Sequence, residues 1–330
     1  MGGYRSRADV LIVSLGSTPG LRASDTELAG MLRRAGATVA VATARRPVEV
    51  RTFALTDLAW ALSARMAARA GIAEFDPRAV VYSTVTAALL WPRAGAIRYD
   101  APAAANRPGR HGLWQRPLER RRLAQAPLLV PVDGGTLGET PRPHAPAVVV
   151  PIPVQASAGA PGGRDIAVLT YAANPHKKGL DRLLAAWASA RRDGEELVVA
   201  GADLRIDAPG VRVAGRLAPA DYRTLLRRAR VFACAPRRED YGIAQLEALA
   251  DGCVLVTTTA PGPYAALPYA RALDPRLVVG DDSDLARALR TALDDPVAGY
   301  ARHAAAAITP FSRAAVDTIV REELLPRLLG

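Results

Sequence analysis

Two lysines stand side by side in the stretch Ala172-Ala-Asn-Pro-His-Lys-Lys-Gly179, and they are the only ones among 43 cationic side chains, the other 41 being arginines. A lysine is a compact point charge on a flexible stem, suited to reaching a phosphate oxygen at close quarters. In a chain that uses arginine everywhere else, Lys177 and Lys178 ahead of Gly179 point to a phosphate-binding loop; a solvated pair of surface charges is the plainer reading. Two carboxylates form a second set. Glu239 and Glu247 stand eight positions apart between Pro236 and Gly252. A ligand at the carboxyl end of the preceding strand would meet both, and Gly242 would let an anion approach the N–H groups of a helix amino end. Two glutamates at this spacing are also common on solvated helices.

The elements that must position these residues follow from periodicity. Val231–Ala235 and Val254–Thr258 are apolar runs that read as buried parallel strands. Between them Ile243, Leu246, Glu247, Leu249 and Ala250 recur at helical spacing, with Gly242 starting the helix and Gly252 stopping it. Upstream, strand 165–171 leads through the lysine loop into helix 180–192. Strands 196–201 and 211–217 and helix 220–230 follow. Gly280-Asp-Asp-Ser-Asp284 invites a metal reading, but Ser283 or Asp282 is expected to cap helix 285–293. Residues 311–329 read as one amphipathic helix, long enough at about 1.5 Å per residue to reach back over the first half.

That first half alternates in the same way. Strand 8–15, a turn from Gly16 to Gly20, helix 24–35 and strand 38–43 make one unit, without the G-x-G-x-x-G dinucleotide fingerprint. Helix 55–70, strand 79–84, a helix to about Trp91 and strand 96–100 come next. Residues 101–112 form an irregular loop with His111, a candidate acceptor loop and a candidate base, although a lone histidine in a polar loop is usually just solvated. A basic helix 113–124 and strands 126–132 and 147–153 complete it, and the small residues 155–163 read as a linker. The expected domains are 1–155, with 311–330 packing back, and 164–310.

The run Pro-x-x-Glu-x-x-Gly-x-x-x-x-Glu-Ala-x-Ala-x-Gly before an apolar strand resembles the E-x7-E signature of retaining GT-B glycosyltransferases of family four. The resemblance spans most of residues 165–329, and residues 8–155 in outline. It implies an α/β fold of two Rossmann-like, doubly wound domains with an interdomain cleft and a last helix crossing back. It also implies transfer of a sugar from a nucleoside-diphosphate sugar with retention and without a required metal or cofactor. In that scheme Glu239 sits near the sugar and acts with Lys178, and Glu247 accepts hydrogen bonds from the ribose. Gly215 and Arg216 lie near the nucleobase, and Gly16 and Gly20 beneath the sugar and diphosphate. Asn174, Lys177, Gly179, Tyr241, Gly242 and Ile243 complete the donor site. The chain departs from the family in three places. Ala173 replaces the usual loop arginine, leaving the second cation to Lys177, His176 or an arginine of the first domain. Tyr99 and Asp100 stand where a histidine is common, and the usual Asn-Gly after the last Ile-Pro is missing.

Composition bounds the rest. An apolar half with 23% charged residues describes a globular chain large enough for two cores. Cys234 and Cys253, each beside an apolar run, offer no disulfide framework, and no apolar run approaches a membrane span, so a cytoplasmic setting is expected. Residues 1–155 carry 20 arginines against 11 acidic residues, nearly all of the net charge of +11. Either composition alone or an anionic acceptor or inner membrane surface accounts for that, with Arg116, Arg120, Arg121 and Arg122 as the contact. The expected partners are a nucleotide-sugar donor and a glycan, lipid or small-molecule acceptor. A sugar-nucleotide epimerase or phosphorylase is the alternative; a nucleic-acid binder ranks third, for want of a reader motif.

Overall fold

The computed structural model describes residues 7–47, 52–103, 109–157 and 163–330, with backbone alone at Pro19, Phe53, Arg110 and His111. Parts of the expected acceptor loop and linker therefore lie outside the described residues. The chain forms two compact units, residues 1–152 with 314–330, and residues 153–313.

Unit 1 is built on five parallel strands in the order β2-β1-β3-β4-β5, comprising β1 (Val10–Ser14), β2 (Val39–Thr43), β3 (Ala79–Tyr82), β4 (Ala96–Tyr99) and β5 (Leu129–Pro131). Side chains alternate across β1, so Leu11 and Val13 enter the core on one face while Val10 and Ile12 enter the core on the other. Both faces are covered, which is why β1 is buried throughout and apolar from Val10 to Val13. The first helix begins at Pro19, not at Ser24: proline's fixed φ suits the first helical position, and Thr18 caps it by accepting from the Leu21 N–H at 3.2 Å. Gly20 consequently lies in the helix's first turn rather than in the turn before it. The second helix, Phe53–Phe75, runs through Gly71, where a Cβ would come 3.0 Å from side-chain atoms of Leu11 and Ala42. The glycine lets this helix seat closely on the sheet.

Residues 147–153 are not a strand. They make one bridge, Leu129 to Ala147, and two further bonds from Val148 and Val150, because Pro146, Pro151 and Pro153 have no N–H to continue a ladder. A short helix, Gly134–Glu139, capped by Asp133, escaped the sequence reading. The C-terminal segment is broken rather than uniform, with a 3-10 turn at Thr309–Phe311, a helix at Arg313–Ile319, a π turn at Val320–Leu324 and a last helix at Leu325–Leu329. Its buried Val316, Val320 and Leu324 join the core of Val10, Ile12, Leu28 and Leu32, and Arg34 fixes it through Asp317 at 2.7 and 2.8 Å.

Unit 2 has six parallel strands in the order β11-β10-β9-β6-β7-β8, comprising β6 (Ile166–Tyr171), β7 (Leu197–Ala200), β8 (Val211–Gly215), β9 (Ala229–Cys234), β10 (Val254–Thr258) and β11 (Val278–Val279). Helices Leu180–Ala190, Pro219–Arg228, Ile243–Ala250 and Leu267–Leu273 lie between successive strands, and helix Leu285–Asp294 follows β11. Both cysteines are reduced and buried. In the acidic stretch the cap is Asp281, which accepts from the Ser283 N–H at 2.8 Å and opens a 3-10 turn; neither Ser283 nor Asp282 caps the following helix, and Asp282 pairs with Arg182 at 3.0 Å. Among the described residues no group of three or more His, Cys, Asp or Glu side chains has the arrangement of a metal site. The doubly wound α/β architecture expected of the sequence is what the structure contains.

Candidate active site

The central pair of strands in unit 2, β6 and β9, brings the lysine loop and the glutamate loop together. After β6 the chain turns on Asn174, whose Oδ1 accepts from the Lys177 N–H at 3.0 Å and whose carbonyl accepts from the Lys178 N–H at 2.9 Å. Gly179 follows with φ of 63°, and a Cβ built there would fall 1.7 Å from the carbonyl oxygen of Ala235. The two loops touch backbone to backbone at this point, and only glycine permits it. The Arg237 N–H also donates to the Lys177 carbonyl at 2.9 Å, and its guanidinium holds Asp181 at 2.8 and 2.6 Å.

That contact sets two charge pairs in a row. Lys178 Nζ lies 2.6 Å from Glu239 Oε2, and Lys177 Nζ lies 2.6 Å from Asp240 Oδ2. Gln245 Nε2, from the first turn of helix Ile243–Ala250, donates to the same Glu239 oxygen at 3.1 Å. The Glu239 side chain is only 5% exposed, and these donors satisfy its buried oxygen. Gly242, with φ of 85°, turns the chain into that helix, while Tyr241 is buried edge-on to Phe311 and Ile243 remains exposed. A third loop, Pro261 to Tyr264, supports the arrangement and went unnoticed in the sequence. Pro261 accepts from the Glu239 N–H at 3.1 Å, and a Cβ on Gly262 would stand 2.2 Å from the Glu239 carbonyl. Its signal was the Pro-Gly-Pro run directly after a strand.

Glu247 is half-buried one and a half turns further on. Arg223 Nη1 lies 3.7 Å from both Glu247 and Asp251, and its other amino group donates to the Gln155 carbonyl. Burial raises the Glu247 carboxyl above its ordinary value of 4.5, and Arg223 only partly opposes this. Keeping the charge therefore costs the folded state free energy at pH above the raised pKa, a cost that disappears as the pH falls through it. If the carboxylate holds a ribose, nucleoside affinity should begin to decline on acidification while free glutamate would still be ionised. A calorimetric pH series checks this, and Glu247→Gln should give a flat profile. Gly215, with φ of 73°, ends β8, and Arg216 directly after it pairs with Asp203 at 3.4 Å in an exposed position.

Unit 1 holds a separate cavity of about 490 Å³ at the carboxyl ends of β1, β3 and β4. Ser17 and Thr18, Thr56, Asp57 and Trp60, Thr84 to Thr86, Asp100, Gln115 and Glu119 contribute to its wall. Gly16 opens the loop below with φ of 57°. Tyr99 also lines it, but its hydroxyl is bonded to Thr140 at 2.7 Å, and burial pushes its pKa up to about 12. The His111 side chain lies outside the described residues. Two of the four arginines named on helix Gln115–Gln125 are engaged by backbone carbonyls. Arg116 donates to the carbonyls of Gly109 and Gly112, and Arg122 donates to that of Leu89 and stacks on Trp91 at 4.7 Å. Leu123 is in the core; only Arg120 and Arg121 are exposed. Sequence reasoning missed Asp57, Gln115 and Glu119; the one available signal was a lone glutamate within an arginine run.

Two doubly wound units define the GT-B class of glycosyltransferase folds, and the chain has that fold. Sucrose-phosphate synthase from Thermosynechococcus elongatus superposes with a TM-score of 0.75 at 16% identity, over 97% of this chain and 98% of that one. WaaG, a glycosyltransferase of lipopolysaccharide biosynthesis, gives 0.69 at 17% identity over 97% and 99%. Anabaena HepE, solved with UDP and glucose, gives 0.70 at 15% identity over 96% and 99%. No curated protein sequence matches the chain. Residues 166–295, most of unit 2, match the family model of glycosyl transferases group 1.

Proposed function

We propose that the protein is a retaining glycosyltransferase that moves a sugar from a nucleoside-diphosphate sugar to an acceptor hydroxyl. The observation that carries this reading is the Lys178–Glu239 pair, held where the β6 and β9 loops meet at Gly179. As the bond between C1 and the phosphate oxygen lengthens, negative charge gathers on the diphosphate. Lys178, Lys177 and the N–H groups at the start of helix Ile243–Ala250 are placed to stabilise it. Glu239 lies beside Lys178 and faces the sugar, while Glu247 receives the ribose hydroxyls. The acceptor oxygen attacks C1 from the face the phosphate leaves and passes its proton to the departing phosphate, so no protein base is required. The likeness to a fold solved with UDP and glucose supports a nucleotide donor.

Incubation with a panel of nucleoside-diphosphate sugars should release free sugar slowly from one of them. Release should persist in EDTA, because side-chain cations and helix N–H groups do the work of a metal. NMR of the transfer product should show the donor's anomeric configuration; an inverted product would end the retention assignment, and an epimerised donor would move the protein to the alternative class. No described helix is long and apolar enough to cross a membrane. We place the protein in the cytoplasm, with any contact to an anionic membrane resting on Arg120 and Arg121. Sedimentation with acidic vesicles at low salt checks that contact, and binding should fall as salt rises.

A further inference from the structure

We infer that Gln245 is a positioning residue of the proposed transfer, fixing through a buried chain of polar side chains which oxygen of Glu239 is presented to the sugar. The inference rests on the glycosyltransferase reading and deepens its account of the site. Gln245 is 1% exposed in the first turn of helix Ile243–Ala250. A carboxylate only accepts hydrogen bonds, so the contact at 3.1 Å with Glu239 Oε2 settles which end of the amide faces it. The second N–H of the amide reaches Cys234 Sγ at 3.4 Å. That sulfur lies 3.3 Å from Thr257 Oγ1, which in turn lies 2.6 Å from the Tyr264 hydroxyl. Cys234 on β9, Thr257 on β10 and Tyr264 in the loop after β10 are all buried.

Two local costs meet at this chain. With its nitrogen committed, Gln245 is left with Oε1 buried and without a hydrogen-bond partner, facing Gly242. A leucine would fill the position without that penalty. Tyr264 holds its backbone at φ of 40°, a left-handed conformation that residues with a Cβ rarely adopt, and a Cβ on Gly242 would stand 3.0 Å from its ring. Strain and an unpaired amide oxygen thus coincide at the turn into the helix, beside Glu239. What they secure is the direction of one carboxylate. Lys178 and Gln245 both donate to Oε2, which leaves Oε1 to accept from a sugar hydroxyl.

The test separates turnover from binding in the full chain. Gln245→Leu is close in size and removes the donor. Slow hydrolysis of a nucleoside-diphosphate sugar should fall at least tenfold in kcat, while KM and the calorimetric affinity for UDP or GDP stay within twofold, because Lys178 is untouched. Cys234→Ala, which removes the acceptor of the second N–H, should lower kcat severalfold, and Cys234→Ser, which restores one, should recover it. In a Glu239→Gln background, Gln245→Leu should cause no further loss, since it acts only through that carboxylate. An unchanged kcat in Gln245→Leu, equal losses in kcat and in diphosphate affinity, or equal losses in the alanine and serine variants would overturn the inference. The glycosyltransferase reading fails differently, by absence of hydrolysis in the unmodified protein, and takes this inference with it.

Discussion

Gly179→Ala is expected to abolish nucleoside-diphosphate binding and to lower the stability of unit 2 by about 2–5 kcal/mol. Left-handed backbone at φ of 63° costs a residue with a Cβ about 1–2 kcal/mol, and overpacking adds about 1–3 more. The second contribution is hard to relax here. The atom that Cβ would strike is the carbonyl of Ala235, directly after β9, whose neighbours in the sheet are β6 and β10. Separating the loops by even one ångström would pull Lys178 from Glu239. Gly194 provides the control, because its φ is 82° but nothing lies within 4 Å of its added Cβ. Gly194→Ala should lose only the backbone cost and keep full affinity for UDP or GDP. Urea unfolding and calorimetry measure both quantities. Equal losses in the two variants would show that the Ala235 contact has no special weight.

The second large effect concerns the buried pair, whose two members should respond in opposite directions. Lys178→Ala removes the cation and leaves the Glu239 carboxylate without its ion-pair partner, with the Gln245 amide still donating to it. Free diphosphate should then bind more weakly by about 1.5–3 kcal/mol, the range for a charge-assisted hydrogen bond, with like-charge repulsion added. Glu239→Gln keeps the shape but releases Lys178 from its partner, so diphosphate should bind as well or better while turnover falls at least a hundredfold. The double variant should resemble neither single one, because the groups are in contact and their effects do not add. If Glu239→Gln weakened diphosphate as much as Lys178→Ala, the two would be acting as a purely structural pair.

How much of this was legible beforehand depends on range along the chain. The parallel strands, the helix from Gly242 to Gly252 and the lysine loop rest on local periodicity and glycine punctuation, and the sequence displays both. The motif identified Glu239 and Lys178 individually, but their pairing spans 61 positions and depends on how closely β6 and β9 approach. Periodicity says nothing about that distance. The misplaced start of the first helix came from treating Pro19 as a turn residue when it also fits a first helical position. The expected strand at 147–153 came from weighing its valines above its prolines. The unit 1 cavity was invisible because Asp57 and Gln115 lie 58 positions apart, and because the charge of the basic helix was read without asking which arginines face backbone carbonyls.

The return of residues 314–330 to unit 1 also has a consequence for synthesis on the ribosome. Val316, Val320 and Leu324 share one core with Val10, Ile12 and Leu28, so that core stays incomplete until the segment that follows unit 2 has emerged. Domains usually fold in the order in which they are made. Here the later-made unit is the first that can complete its core, while one of the two cores of the earlier unit lacks Val316, Val320 and Leu324. A chain truncated after Arg313 and released from the ribosome should therefore show protease resistance in unit 2 and cleavage in unit 1. Such truncated chains should be the ones that chaperones engage.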